Sequence, residues 1–336
     1  MIYGYTIPIM EIEALTYLGI DLGGTKLLIG EMDSAGRIIS HRRYRSGFLD
    51  QSNALKVIEE SLEDYLRTGR VQERPLRAMG LGLIGRVNNE QGVWYQIDSR
   101  RTGELRIAES LSRKFALPCY VENDVRSALK AELLFGCGQD SKDFLYINVG
   151  TGIAAGIVSG GRVLRGGHYN AGEVGHTRVG IDPGLDIPCE CGRINCVEAV
   201  ASGSGLDKCA RALMDRYPGS ILSLPKEGVP VDVKEIFEKS GRDPLCALLV
   251  DTASRAIANL IMNLVRTSDP ELVALGGGVV SDRFLLPRIQ AALDPHTMRF
   301  VTRGVAITRL DPAFAGLLGA CTVAMNRDFS KGEGLC

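Results

Sequence analysis

No run of lysine or arginine stands out in this chain, and its formal net charge is only −1. That balance gives no electrostatic reason to expect a nucleic-acid backbone or an anionic membrane as partner. No apolar run reaches the roughly 20 residues that a bilayer-spanning helix needs. The opening MIYGYTIPIMEIEA lacks a basic n-region and is broken by Gly4 and Pro8, so no signal peptide is expected. Nine cysteines, odd in number and mostly scattered, argue against a disulfide framework and for a reducing compartment, the cytoplasm. No repeat of solenoid length is present. What remains is 336 residues, 45% hydrophobic and 24% charged, which is ordinary globular composition with room for two domains.

The densest chemistry lies in GEVGHTRVGIDPGLDIPCECGRINCVEA, which opens at Gly172. Cys189, Cys191 and Cys196 are spaced C-x-C-x4-C, with His176 thirteen residues upstream. Together they make four soft or borderline ligands suited to tetrahedral zinc. Pro188 and Gly192 punctuate the cluster as a metal knuckle requires. The competing reading is three unrelated buried thiols and a surface histidine. Glu173 and Glu198 flank the set, and a zinc site of this kind needs neither, so a second ligand beside the metal is implied.

The rest of the chain alternates strand and helix signals. Thr16–Asp21 and Lys26–Met32 read as strands joined by a glycine turn. There Gly23 and Gly24 let backbone N–H groups approach a ligand, with Asp21 at the same opening; a plain hairpin reads the same way. Leu55, Ile58, Leu62 and Leu66 make Ser52–Leu66 an amphipathic helix. Met79–Ile84 is a buried strand entering the polar loop GRVNNEQG, and Glu104–Phe115 is a helix ending before Pro118. Strand Cys119–Glu122 meets helix Val125–Phe135 at Asn123-Asp124. Either residue type suits an N-cap, and such junctions are also where α/β proteins place reactive side chains.

Phe144–Gly161 repeats the first motif. Setting Gly23 over Gly150 brings the apolar positions largely into step, which suggests a duplicated fold with two phosphate-gripping loops. Helix Ala201–Arg216, a Pro/Gly-rich connection at Tyr217–Asp232 and a long apolar helix at Pro244–Arg266 follow. Strand Glu271–Leu275 runs into Gly276-Gly277-Gly278, which would seat a flat or phosphorylated ligand part or simply turn tightly. A helix near Phe284–Leu293, strand Val301–Thr308 and helix Pro312–Met325 close an α/β chain with largely parallel sheets.

These pieces in this order resemble the ROK family of repressors, open reading frames and kinases. The carriers are DLGGTK (21–26), END (122–124), NVGTGIAAG (148–156), GEVGH (172–176), CECGRINCVE (189–198) and LGGG (275–278). The resemblance covers nearly all of the chain from Tyr17 onward. It implies the actin-like, ribonuclease-H-like ATPase fold, with two α/β domains around a cleft. The smaller would be 1–123 plus a C-terminal helix at about 312–328, and the larger 124–311 with the knuckle at 176–196.

The resemblance further implies a cytoplasmic, homodimeric ATP-dependent kinase acting on the 6-hydroxyl of a glucose-like hexose or N-acetylhexosamine. Gly85, Arg86, Asn123, Asp124, Glu173, His176 and Glu198 would hold the sugar, with Asp124 as general base. The backbone around Gly23, Gly24, Thr25, Lys26 and around Gly150, Thr151, Gly152 would cradle the ATP phosphates. Gly276, Gly277 and Gly278 would lie near the adenosine, and Asp21 would help hold Mg²⁺. Zn²⁺ would be structural on His176, Cys189, Cys191 and Cys196, with the second histidine nitrogen turned toward the sugar.

The chain departs from the pattern in three places. Asn195 stands where glycine is usual, and asparagine tolerates positive φ. The loop Leu83-Ile84-Gly85-Arg86-Val87-Asn88 lacks the usual Pro-Gly and looks like the N-acetylmannosamine kinase branch. The stretch from His176 to Cys189 is a few residues longer than is typical. A sugar-sensing repressor would need a helix-turn-helix before the first strand, where some 16 residues without basic character stand. A zinc hydrolase is disfavoured, because four protein ligands leave no position for water.

Overall fold

Two five-stranded sheets of matching design carry the chain in the computed structural model, which describes residues 15–24, 26–47, 50–70, 74–98 and 100–329. The extension before Leu15 and Thr25, expected in a phosphate loop, lie outside the described residues. The first half runs β1 (Thr16–Leu22), β2 (Lys26–Asp33), β3 (Ile38–Arg45), α1 (Gln51–Thr68) and β4 (Leu76–Leu83). It continues through β5 (Arg86–Asn88), β6 (Val93–Gln96), β7 (Thr102–Leu105), α2 (Ile107–Phe115), β8 (Cys119–Asn123) and α3 (Asp124–Phe135). The second half holds β9 (Phe144–Val149), β10 (Ile153–Ser159), β11 (Arg162–Val163), α4 (Val197–Ala201), α5 (Gly203–Leu213) and α6 (Val233–Lys239). It ends with α7 (Pro244–Ser268), β12 (Leu272–Gly276), α8 (Leu286–Ala291), α9 (Pro295–Met298), β13 (Val305–Ile307) and α10 (Ala315–Phe329).

The first sheet has the order β3-β2-β1-β4-β8 and the second β11-β10-β9-β12-β13. In each, a central strand pairs antiparallel with the strand after its glycine turn and parallel with a later one. The duplication expected from the paired glycine turns is therefore present in the topology. It sets Asp21 in β1 at the place that Asn148 holds in β9.

Helix α1 starts where Asp50 accepts the Asn53 N–H (2.8 Å), and it buries Ala54, Ile58, Leu62 and Tyr65 on one stripe. Helix α10 returns from the end of the chain to pack on β1 and β4. The approach is so close that a Cβ on Gly80 would lie 2.0 Å from the Ala320 carbonyl oxygen. Helix α3 touches both α10 and β10, so it lies between the two sheets. The core of the second half gathers around α7, whose Leu249, Ala253, Ile257 and Ile261 are buried with Ile147 and Val273 of the sheet.

Several boundaries differ from the sequence reading. The polar loop after Gly85 contains β5, which pairs with β6 in a small β5-β6-β7 sheet. Glu104 belongs to β7, so the helix expected from that residue begins at Ile107. The expected helix over 201–216 breaks at Ser202, whose hydroxyl accepts the Gly205 N–H (3.0 Å). The expected strand Val301–Thr308 shortens to β13. Against the sequence reading, α7 is long and apolar enough to cross a bilayer by length and composition, but two thirds of its most apolar window is buried inside the fold.

Candidate active site

The junction of β8 and α3 sets the centre of the site. β8 pairs with β4 through Leu83 and Asn123, so the strand reaches one residue further than expected. Asn123 is the N-cap: its Oδ1 accepts the N–H groups of Val125 (3.0 Å) and Arg126 (3.2 Å), and its Nδ2 donates to the Gly85 carbonyl (2.9 Å). Asp124 is thus relieved of the capping position and stands as the first helical residue, with Oδ1 accepting the Val125 N–H at 2.9 Å. Burial raises its carboxyl to about 6; the Val125 N–H pulls the other way, and the Glu173 carboxylate adds to the rise.

Asp21, at the end of β1, is raised to about 7 by burial and by the neighbouring charge of Asp124. Two such carboxylates, near enough for the charge of one to shift the other, make a donor set that a hard divalent cation with oxygen ligands would satisfy. That chemistry fits the Mg²⁺ expected there.

Glu173 leads into the turn Val174–His176, and its carboxyl is raised by burial, with His176 opposing and Glu198 adding. Glu198, in the first turn of α4, accepts the Ile153 N–H on Oε2 (2.9 Å). A Cβ on Gly152 would sit 2.6 Å from that oxygen, so glycine is what lets the carboxylate reach the β10 backbone. His176 joins the two halves of the motif. Its Nε2 is 3.9 Å from Glu173 Oε2, and its Nδ1 is 3.4 Å from Cys189 Sγ and 3.9 Å from Glu198 Oε1.

The donor atoms of His176, Cys189 and Cys191 all lie within 4.8 Å of one another, and Cys196 Sγ is 3.6 Å from Cys191 Sγ. A tetrahedral zinc with bonds of about 2.3 Å needs sulfur atoms about 3.8 Å apart, so His176, Cys189 and Cys191 fit the ion, while Cys196 stands beside Cys191 but outside that group of three. Hydrogen bonds from Arg193 hold the Cys191 thiol at about 6, toward the thiolate a metal requires. Asn195 does take positive φ (50°), and its Oδ1 accepts the Ile187 N–H at 2.8 Å, which closes the knuckle where glycine was expected. The longer stretch after His176 lies against α7, with the Val179 carbonyl accepting from Asn259 (2.9 Å).

Gly85, Arg86, Asn123, Asp124, Gly152, Glu173, His176 and Glu198 line one cavity of about 380 Å³. The other glycine turns stand outside that lining. Gly150 and Gly277 follow the adjacent strands β9 and β12, where Gly277 lies against the Val149 backbone and the Val279 N–H donates to the Val149 carbonyl (3.0 Å). Thr151 lines an adjoining cavity with Gly152 and Glu198. Gly23 closes its own turn by donating to the Lys26 carbonyl (2.9 Å), and Gly24, Lys26 and Gly278 are exposed or open. Asp21 is the link from this turn to Asp124.

The sequence reading missed the supports of this site. Glu122 is held down to about 2: burial works against its charge, and Lys130 and Arg126, each 2.9 Å away, overcome that cost. Asn89 Nδ2 donates to the same carboxylate (2.9 Å), and Arg126 reaches the Tyr169 carbonyl (3.3 Å). The signal was available, since Glu122, Arg126 and Lys130 recur every four residues into α3. Asn148, Asn170, Gln96 and Asp98 also line the cavity and were not singled out.

Comparison with known proteins defines the class first. A hexokinase of the ROK family from Thermus thermophilus superposes with a TM-score of 0.72 at 30% identity, over 94% of this chain and 100% of that one. The fold is the actin-like ATPase fold. The ROK family model matches residues 17–327, and the chain belongs to that family. It is 30% identical to a glucokinase of Halalkalibacterium halodurans (81% of this chain, 83% of the relative). It is also 30% identical to an N-acetylmannosamine kinase of Salmonella heidelberg, over 92% of this chain and 98% of the relative. A DNA-binding transcriptional dual regulator of Escherichia coli matches at 24% identity, over 90% of this chain and 73% of the relative.

Proposed function

We propose that this chain is an ATP-dependent sugar kinase that phosphorylates the 6-hydroxyl of a hexose or N-acetylhexosamine. One observation carries the reading. Asp124 presents a carboxyl raised to about 6 in a polar cavity that Glu173, His176 and Glu198 share. A base that titrates just below neutral pH is ionised at working pH yet basic enough to take a hydroxyl proton. The sugar oxygen, relieved of that proton, attacks the γ-phosphorus, and the phosphoryl group leaves ADP. Glu173 and Glu198 each accept from ring hydroxyls and fix the sugar; Asn123 and Gly85 close the same wall.

Asp21 would hold Mg²⁺, which with ATP supplies the charge neutralisation the transfer needs. The glycine backbones at 23–24, 150–152 and 276–278 would take the nucleotide, and Lys26 would lie beside its phosphates. Zn²⁺ on His176, Cys189, Cys191 and Cys196 would stiffen the loop that presents Glu173 and Glu198. The smaller domain, 1–123 with the C-terminal helix, and the larger, 124–311, would close on the substrates about α3. The active unit would be a homodimer.

The likeness to N-acetylmannosamine kinase and the loop at Gly85-Arg86-Val87-Asn88 favour an N-acetylated sugar within this class. A sugar-sensing regulator is the second reading, supported by the regulator among the relatives. A coupled ADP-release assay over glucose, N-acetylglucosamine, N-acetylmannosamine, mannose, allose and fructose separates the two. Release that depends on one of these sugars supports the kinase; sugar binding without ATP turnover would favour the regulator.

A further inference from the structure

A second cavity, of about 470 Å³, opens on the far side of Arg86. Arg86 lines both this cavity and the proposed sugar cavity, so its side chain is the partition between them. One wall comes from the small sheet, with Tyr95 on β6 and Thr102–Glu104 on β7; the other comes from residues 167–169 of the second half. The two walls are tied by Glu90, in the β5–β6 turn. Its carboxylate accepts from the Arg165 guanidinium and from the Tyr169 hydroxyl (2.9 Å).

The lining has a definite chemical character. Tyr95 and Tyr169 contribute rings with polar tips, which suit a partner that has both apolar faces and hydroxyls. Arg86 stands over the Tyr95 ring at 5.0 Å, and its Nε is buried without a hydrogen-bond partner. The lining carries one formal charge of each sign, Arg86 and Glu104, with His168 beside them, so it favours a neutral ligand over an anion. Each of the two cavities lies in the usual size range of a small-molecule site. A single hexose needs only one of them.

We propose that the cavity beyond Arg86 is a subsite for a second, uncharged sugar ring, and that the chain accepts a neutral disaccharide. One ring would occupy the cavity at Asp124, while the other would pass Arg86 and pack between Tyr95 and Tyr169. The inference rests on the sugar-kinase reading and narrows its substrate class. It also gives the Glu90 tie a role, which is to hold the second wall against the first.

Gly167 provides the test. Its φ is not in the left-handed region, and a Cβ built on it meets no atom within 4 Å, so a large side chain is tolerated there. Gly167→Trp fills the second cavity without touching the first, and Tyr95→Ala removes one of its faces. The assay compares kcat/KM for glucose and N-acetylglucosamine with that for maltose, cellobiose and N,N′-diacetylchitobiose, with calorimetric binding alongside. The expected result is at least one disaccharide used as well as its monosaccharide. The disaccharide-to-monosaccharide ratio should then fall tenfold or more in both variants, while Gly167→Trp keeps its monosaccharide KM within twofold. Monosaccharide turnover with no disaccharide turned over or bound overturns the subsite and leaves the kinase reading standing. A ratio unmoved in both variants overturns it as well. No turnover or binding of any sugar removes the kinase reading and the subsite together.

Discussion

Replacing Asp124 with asparagine should separate activity from stability, and in opposite directions. The carboxyl rises from an ordinary value of 3.8 to about 6, because burial and the Glu173 charge disfavour its ionised form. A group whose folded pKa lies above its unfolded one makes the fold less stable as pH climbs through that interval. At pH 7.5 the ionised carboxylate therefore costs the native state free energy. At about 1.4 kcal/mol per tenfold change in proton affinity, discounted for its partial exposure, that cost is about 1–3 kcal/mol. Asparagine keeps an oxygen for the Val125 N–H and removes the charge. Asp124→Asn should melt a few degrees above the wild type at pH 7.5, and the gap should close near pH 4, where the wild-type carboxyl is protonated. Turnover should fall about 10²–10⁴-fold, the usual contribution of a general base. Differential scanning calorimetry at the two pH values, with steady-state kinetics, reads both effects. A variant that melts lower at pH 7.5 would refute the raised carboxyl, and one that turns over within threefold of wild type would refute the base.

Other perturbations follow from the supports of the site. Cys191→Ser removes one of the four proposed ligands, so zinc measured by plasma mass spectrometry should fall from one equivalent toward none, and sugar affinity should weaken with it; full zinc in the variant would refute the ligand set. Gly152→Ala should push Glu198 off the Ile153 N–H with little effect on melting, because the clash is with the end of a flexible side chain, and sugar KM should rise about tenfold. An unchanged KM would remove Glu198 from the binding site. Arg126→Met leaves Glu122 buried with one cation fewer, and a loss of about 3–5 kcal/mol in urea unfolding is expected; a loss below about 1 kcal/mol would show the pair to be dispensable.

Much of the architecture was readable because local signals agreed with the fold. The two glycine turns, each between apolar runs, mark the β1–β2 and β9–β10 hairpins, and their likeness reflects the shared topology of the two sheets. The strand β5 was hidden because Val87 is the single apolar residue in Arg86-Val87-Asn88. What holds it is pairing with β6, whose Trp94 is fully buried. A helix expected to start at Val125 makes Asp124 its cap, whereas the cap is Asn123, a residue type that serves equally well. Pairing of β8 with β4 decides it by one position, and that one position frees the carboxylate. The cysteine spacing pointed to the neighbourhood of His176, Cys189 and Cys191, since these residues lie within one short loop that has few ways to fold. The Glu122 network escaped notice because an ion pair at four-residue spacing is ordinary on a helix surface, and only burial makes this one structural.

The most direct measurement follows the phosphoryl group itself. ATP labelled at the γ-phosphate is mixed with the protein, Mg²⁺ and each sugar in turn, and the labelled product is resolved and its linkage read by nuclear magnetic resonance. Label is expected on the 6-oxygen of at least one hexose or N-acetylhexosamine unit, one for each ADP formed, and is expected to be lost in Asp124→Asn. Label that goes only to inorganic phosphate, or that stays on ATP with every sugar, would contradict the kinase reading.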